Sequence, residues 1–121
     1  MRASVAKLTA ATLGALAVGA VAPAVASAAP ASGYAALCVD RLADYSAVLQ
    51  WPNRGGMETW IVNPGQCSDR GPGDAGELIV VLANYRGAVI NIGHFYASGR
   101  GDDVEAVGRM SNGTEGINLA P

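Results

Sequence analysis

The sequence predicts an all-β fold, a small antiparallel β-sandwich or barrel of five to seven short strands with one disulfide bond. Apolar and polar residues alternate with a period of two along several segments, which is the pattern of half-buried strands. Clusters of Gly, Pro, Asn and Ser separate these segments at short intervals, as turns do in all-β domains. The chain has only two cysteines, which allows a single intramolecular pairing.

The first 28 residues have the layout of a secretory signal peptide. Arg2 and Lys7 precede an uncharged, alanine-rich run, and residues 26–28 read ASA, which fits the small-residue rule for cleavage. The run is long enough for a transmembrane helix, but its Ala, Gly and Thr content favours a cleaved signal. We therefore expect a secreted, soluble protein that begins with a disordered leader at 29–33.

Removal of residues 1–28 leaves 93 of the 121 residues, which are the leader at 29–33 and one small β domain over residues 34–121. This part has six arginines, no lysine and ten acids, so its formal charge is −4. A mildly acidic domain is a poor candidate for binding nucleic acid or an anionic membrane. Arginine without lysine, together with abundant Ala and Gly, is typical of GC-rich bacterial coding, and the chain resembles small exported proteins of actinobacteria. We expect a monomer.

The two cysteines predict the disulfide Cys38–Cys67, because cysteine pairs in exported chains are most simply oxidised. The bond would close a loop of about 30 residues and contribute roughly 3–4 kcal/mol in the chain-entropy model. A reactive thiol is the alternative, but it leaves the second cysteine unexplained, and the chain has no C-x-x-C motif.

The alternation begins after Tyr34 and predicts strands at 35–40 and 44–51, with a turn or bulge between them. The apolar residues of one parity are Leu37, Val39, Ala43, Tyr45, Ala47, Leu49 and Trp51. A helix is the alternative, because Cys38, Leu42, Tyr45 and Leu49 also fall on one helical face. The alternative fold class is therefore α+β with a helix at about 36–50.

A turn at Pro52–Gly56 precedes a predicted strand at 57–63, and a second turn at 63–66 leads to the second cysteine. Trp51 and Trp60 flank the first turn and could meet across or beneath this hairpin. Burial in the core is the favoured interpretation for both, since a small domain needs its large side chains inside. An exposed aromatic binding surface is the alternative.

The second half of the mature chain predicts a hairpin of two strands, with shorter strands beyond it. The run LIVVLAN after Glu77 predicts a strand buried on both faces, and 88–97 predicts its hairpin partner, with a bulge at Gly93. Weaker alternation at 104–110 predicts an edge strand, and a short strand follows near 117–119. The segments 68–76 and 98–103 are predicted to be flexible loops.

No catalytic set emerges from the sequence, so we expect a protein that is not an enzyme. His94 is the only histidine, and Ser98 and Asp102 lie nearby in the chain, but no G-x-S-x-G motif frames a serine nucleophile. Two groups of acids suggest calcium, yet neither has EF-hand spacing: Asp69, Asp74 and Glu77 in one, and Asp102, Asp103 and Glu105 in the other. Zinc lacks a ligand set, and we expect no metal and no cofactor.

Four residues are predicted as possible binding residues: Trp51, Trp60, Arg100 and Asp102. The tryptophans are chosen for their large amphipathic surface. The other two flank Gly101, and the tripeptide Arg-Gly-Asp is also displayed by integrin ligands, although a three-residue match has the weight of a coincidence.

The size, the export signal, the all-β prediction and the stretch Val62–Gln66, VNPGQ, resemble the tendamistat-type inhibitors of α-amylase from actinobacteria. That resemblance implies a β-sandwich that inhibits a hydrolase. The family has two disulfides and an exposed Trp-Arg-Tyr triplet, whereas this chain has two cysteines and no arginine after Trp51 or Trp60. No inhibitory residue can therefore be transferred from the family.

The expected function is binding of an extracellular or cell-surface partner, either a protein or a component of the cell wall. The alternative is a proteinaceous inhibitor of an extracellular protease or amylase. Such an inhibitor would present 68–76 or 98–103 as a rigid probe. Both loops lie outside the segment that the disulfide closes, where the sequence favours the functional surface.

Overall fold

A computed structural model, which describes residues 30–120, shows two four-stranded sheets packed face to face. The strands in chain order are β1 (Tyr34–Val39), β2 (Ser46–Trp51), β3 (Met57–Glu58), β4 (Gly71–Pro72), β5 (Leu78–Tyr85), β6 (Ala88–Tyr96), β7 (Asp102–Val107) and β8 (Gly116–Leu119). The front sheet has the order β4-β1-β7-β8, and the back sheet has the order β3-β2-β5-β6. The all-β prediction is confirmed, with eight strands in place of five to seven. The predicted signal peptide lies outside the described residues.

One strand pair differs from the predicted antiparallel arrangement. β1 and β7 are parallel, with Ala35 opposite Asp102 and Val39 opposite Ala106, while the other neighbouring strands are antiparallel. Between β1 and β7 the chain forms the whole back sheet and the small strand β4. Parallel neighbours need such a long connection, because a tight turn can join only antiparallel strands.

The two strands β1 and β2 confirm the period-two pattern and show that the helical alternative at 36–50 is wrong. The alternating apolar residues from Leu37 to Trp51 are all buried in the cluster between the sheets. A helix would have turned only part of this set inward. A turn closed by the Ala43 amide, which donates to the Asp40 carbonyl, connects the strands. The hydroxyl of Tyr45, which directly precedes β2, donates to the carbonyl of Val107 at the end of β7 at 2.6 Å. This hydrogen bond connects the back sheet to the front sheet.

β5 and β6 form the predicted hairpin, in which β6 lies at the edge of the back sheet. Arg86 and Gly87 at the turn both have positive φ, 52° and 80°, as the tight turns of two-residue hairpins require. The predicted bulge near Gly93 is present, since the register of β6 shifts opposite Val81 and Leu82. The Asn91 side chain accepts a hydrogen bond from the Gly93 amide there, at 2.9 Å. The bulge interrupts the outer edge of β6, which protects an otherwise long edge strand.

The predicted disulfide Cys38–Cys67 is present, and the two Cα atoms lie 4.0 Å apart. Cys67 does not follow a third strand directly. It lies antiparallel to Cys38 beside β1, and the flanking Ser68 amide donates to the Leu37 carbonyl at 2.7 Å. The bond therefore attaches the connecting segment that contains β4 to β1 of the front sheet. No helix within residues 30–120 is long and apolar enough to cross a membrane.

Candidate functional site

Residues 57–72, which we call the edge segment, cover one side of the sandwich. Residues 57–62 run antiparallel to β2 along the edge of the back sheet, and residues 66–72 run antiparallel to β1 along the edge of the front sheet. The segment changes sheets at a turn in which the Gln66 amide donates to the Asn63 carbonyl. One continuous stretch of chain thus closes the gap between the two sheets.

The predicted strand 57–63 is wrong as a regular strand, because a β-bulge interrupts it. Glu58 pairs with Gln50 of β2, and four residues later Val62 bridges Ala47, only three residues back along β2. One extra residue is therefore inserted on the outer strand. The insertion places Trp60 and Ile61, which we call the edge bulge, opposite the single residue Val48.

Hydrogen bonds hold the edge bulge on both sides. Before it, the Thr59 amide donates to the Leu49 carbonyl at 3.0 Å, and the Thr59 hydroxyl accepts from the Leu49 amide at 3.1 Å. After it, Val62 and Ala47 exchange two amide–carbonyl bonds of 2.9 and 3.0 Å. The Val62 side chain is itself buried in the core. Only two residues lie between these attachments, so the bulge has little room to change shape.

The bulge explains why two adjacent large apolar side chains are exposed. Side chains of a regular strand alternate between the two faces, whereas a bulge redirects one of them. Trp60 is 87% exposed and Ile61 is 59% exposed. Burial of a large apolar side chain contributes about 1.5–3 kcal/mol to folding, a gain that both residues forgo here. Side chains left outside at this cost are candidates for contact with a partner.

A groove of about 280 Å³, the edge groove, lies beside Trp60. One wall consists of residues 57–60 and the other of residues 69–72, while Trp51 forms the floor. Arg70 in the second wall places its guanidinium carbon 4.8 Å from the centre of the Tyr34 ring, a cation–π contact. The groove lining therefore combines aromatic, aliphatic and cationic groups with two acids, Glu58 and Asp69.

The floor of the edge groove is a fixed part of the core. Trp51 is 1% exposed, and its indole nitrogen donates to the Pro72 carbonyl at 2.7 Å. Gly71 lies against the ring so closely that a Cβ atom there would be 2.5 Å from it. The absence of a side chain at Gly71 lets the second wall approach the indole. The spacing of the two walls is thus set by the core and not by flexible side chains.

A second, smaller hollow of about 120 Å³ lies on the other side of the bulge, on the outer face of the back sheet. Its apolar lining includes Ile61, Val48, Leu82 and Val89. The edge bulge is therefore a ridge between two hollows, with Trp60 bordering one and Ile61 bordering the other.

Comparisons with protein-family models, with curated proteins and with solved structures give no match for this chain.

Of the four predicted binding residues, the structure brings two together. Trp51 and Trp60 both line the edge groove, one as its buried floor and the other as its exposed rim. Arg100 lies in the connection between β6 and β7, and Asp102 is the first residue of β7; neither lines the groove. There the Asp102 carboxylate accepts from the Ser98 amide, and the Ser98 hydroxyl accepts from the Arg100 amide, both at 3.0 Å.

The sequence did not single out Ile61, Met57 or Arg70, although all three contribute to the exposed surface. The edge bulge also lies inside the disulfide-closed segment, whereas the sequence favoured loops outside it. One signal was available: Trp60 and Ile61 are adjacent large apolar residues in a predicted edge strand, and one of them had to be exposed or redirected.

The predicted loop 68–76 is less free than its composition suggests. It contains β4, and Arg54 from the turn after β2 forms ion pairs with Asp74 at 3.0 Å and Glu77 at 2.6 Å. The hydrogen bond from Arg54 lowers the pKa of the Glu77 carboxyl. These pairs engage two of the acids that suggested calcium. Among residues 30–120, no group of three or more His, Cys, Asp or Glu is arranged to hold a metal ion.

His94 is exposed on β6, opposite Val80, and packs edge-on against Tyr96 with ring centres 6.1 Å apart. Ser98 and Asp102 are instead engaged with each other in the loop that follows β6. The structure thus gives each of the three residues a local partner that needs no catalytic role.

Two acid groups, Glu105 and Glu77, should change the stability of the protein in opposite directions as the pH falls. Burial, together with the charges of Asp40 and Asp103, raises the pKa of Glu105, so the folded state binds this proton more readily than the unfolded chain. The free energy of unfolding should rise as pH falls from 7 towards the ordinary value of 4.5. Below that value it should fall again, because the pKa of Glu77 is lowered by Arg54 and its ion pair is lost on protonation.

Urea unfolding at pH 7, 5 and 3 measures both the rise and the fall of the free energy of unfolding. The variant Glu105→Gln should reduce the gain between pH 7 and 5 and leave the loss between pH 5 and 3 intact. An unchanged gain in this variant would contradict the assignment to Glu105.

Proposed function

We propose that this chain is a secreted, non-enzymatic binding domain that contacts a protein partner through the edge bulge and the edge groove. The observation that carries the proposal is the edge bulge itself, in which Trp60 and Ile61 are exposed side by side on a backbone anchored at both ends. Isolated exposed apolar residues are ordinary, but a rigid ridge between two hollows supports a binding role.

The composition of this surface favours a protein partner. Aromatic residues, Met and Arg are enriched where proteins bind one another, and Trp, Tyr and Arg supply most of the strong contacts. Trp60, Met57 and Arg70 of the edge groove have this composition, and Tyr34 lies against Arg70, whereas Glu58 and Asp69 add polar groups to the lining. The rigid backbone also favours binding, since little conformational entropy is lost when such a surface is bound.

Secretion is supported by two independent features. The first 28 residues have the pattern of a cleaved export signal, and the mature part carries a disulfide, which persists in oxidising compartments. The bacterial origin is supported by the arginine-rich, lysine-free composition of the same part. An extracellular protein or a wall-associated protein is the partner that these features favour.

The proposal predicts that Trp60→Ala weakens partner binding at least 30-fold, the loss typical of a strong interface residue. The purified mature chain, immobilised through its C-terminus, is incubated with the culture medium and the cell-wall fraction of the producing strain. Tyr96→Ala is the matched control, because Tyr96 is a similarly exposed aromatic residue, 64% accessible, on a different strand.

The expected result is a protein that the wild type and Tyr96→Ala retain and Trp60→Ala releases. Equal retention by all three forms would remove the edge bulge from the binding surface. Retained material that resists protease but is released by glycosidase would replace the protein partner with a glycan.

A further inference from the structure

We infer that the partner of the edge bulge is an extracellular endopeptidase, with Trp60 in its specificity pocket and the Trp60–Ile61 peptide bond across its catalytic site. This inference rests on the proposed function, because it names the partner class for the same surface. It also replaces the loops 68–76 and 98–103 as the expected inhibitory probe.

The shape of the edge segment fits the cleft of an endopeptidase. Residues 57–62 follow the outer edge of β2, and β3 is the outermost strand of the back sheet in the part of the chain that the structure describes. One side of this backbone is therefore available for another chain. Endopeptidase clefts bind extended segments by backbone pairing and admit one projecting side chain to a pocket. Trp60, 87% exposed at the bulge, is such a side chain.

Because the edge bulge is anchored on both sides, we expect the protein to inhibit the endopeptidase and not to be cleaved as its substrate. Cleavage of a folded chain normally requires local opening, and segments that open rarely are cleaved slowly. Opening at Trp60–Ile61 would break the bonds of Thr59 and Val62 and bring the buried Val62 into water. The disulfide at Cys67 ties the same segment to β1 a few residues later. The peptide bond is thus accessible to an enzyme but resistant to turnover.

The chemistry of the exposed side chain specifies the kind of enzyme. An indole fits a deep apolar pocket of the chymotrypsin type, whereas a pocket with a buried carboxylate selects cations. Arg70, the cationic side chain of the edge groove, is engaged over the Tyr34 ring and does not belong to the bulge. Enzymes that select large apolar residues are therefore the expected targets, and enzymes that select Arg or Lys are not.

The first test measures inhibition of purified chymotrypsin, subtilisin and trypsin by the disulfide-intact mature chain, with small chromogenic substrates. We expect competitive inhibition of chymotrypsin or subtilisin with a dissociation constant on the order of 1 μM or tighter, and no inhibition of trypsin. Trp60→Ala should weaken the inhibition about 100-fold. Trp60→Arg should transfer it to trypsin, a change that a merely structural role of Trp60 would not produce. Tyr96→Ala and Arg100→Ala should behave as the wild type.

The second test follows the integrity of the chain by mass spectrometry during incubation with chymotrypsin. The wild type should stay intact for hours, with any slow cut confined to the bond after residue 60. Thr59→Val, which removes the hydroxyl acceptor of one anchor and keeps the side-chain shape, should be cleaved there several-fold faster. Thermal unfolding of each variant confirms that the fold is retained, as expected for substitutions at exposed or half-buried positions.

Three results would overturn the inference: no inhibition of any of the three enzymes, rapid cleavage of the folded wild type at residue 60, or inhibition that Arg100→Ala removes and Trp60→Ala preserves. If partner capture still depends on Trp60 while no enzyme is inhibited, the edge bulge remains the binding surface, but its partner is not an endopeptidase. If Trp60 affects neither measurement, the proposed function falls as well.

Discussion

Trp51→Ala is expected to lower the free energy of unfolding by about 3–5 kcal/mol, the range for truncation of a buried aromatic residue. Trp51 is the largest of the fully buried side chains, and its loss would leave a cavity between the two sheets. It would also leave the Pro72 carbonyl without the indole donor at 2.7 Å. For a domain of this size such a loss lowers Tm by on the order of 15 °C or more.

The matched control is Trp60→Ala, which makes the same chemical change nine residues later. Trp60 is 87% exposed, so its removal should alter stability by no more than about 0.5 kcal/mol. Urea unfolding of both variants and of Trp51→Phe provides the measurement. Phe keeps most of the apolar volume and removes the indole donor, so its cost should fall between those of the two alanine variants. Equal losses for the two alanine variants would contradict the burial of one tryptophan and the exposure of the other.

Removal of the disulfide should have the second large effect. The double variant Cys38→Ala, Cys67→Ala is expected to lose about 3–4 kcal/mol, because the bond closes a loop across 29 positions of sequence and restricts the unfolded chain. For a small domain with a total stability of about 5–15 kcal/mol, this is a large fraction. Chemical unfolding with and without a reductant measures the difference.

Reduction of the wild type should reproduce the loss, while the double variant should not respond to reductant. Hydrogen exchange adds a local measurement. The Ser68 amide donates to the Leu37 carbonyl beside the disulfide, and it should exchange faster once the disulfide is removed. A double variant as stable as the wild type would show that the hydrogen bonds along β1 suffice to hold the edge segment.

The sequence predicted the local features of the fold well, because they depend on residues close together in the chain. The alternating residues from Leu37 to Trp51 identified both the strands and their buried face. The bulge at Gly93 followed from a glycine within a predicted strand. The sequence treated the two tryptophans alike, and favoured burial for both, since each follows an alternating apolar pattern.

The candidate site could not be predicted from the sequence, because it depends on the register between the edge segment and β2. Whether a strand contains a bulge is decided by how many residues its partner supplies, and β2 supplies one residue fewer than the segment from Glu58 to Val62. That difference turns Trp60 and Ile61 outward together. The edge groove likewise forms between 57–60 and 69–72, which pair with different sheets and come together only when the sandwich closes.

By itself, then, the sequence determined the all-β class, the single disulfide and the buried face of the first strands, since composition and short-range periodicity encode these properties. Only the tertiary structure decided the parallel pairing of β1 with β7, the change of sheets at the Asn63–Gln66 turn, and the opposite environments of Trp51 and Trp60. The physical reason is that long-range pairing sets which edges meet, and side-chain exposure at an edge follows from that pairing.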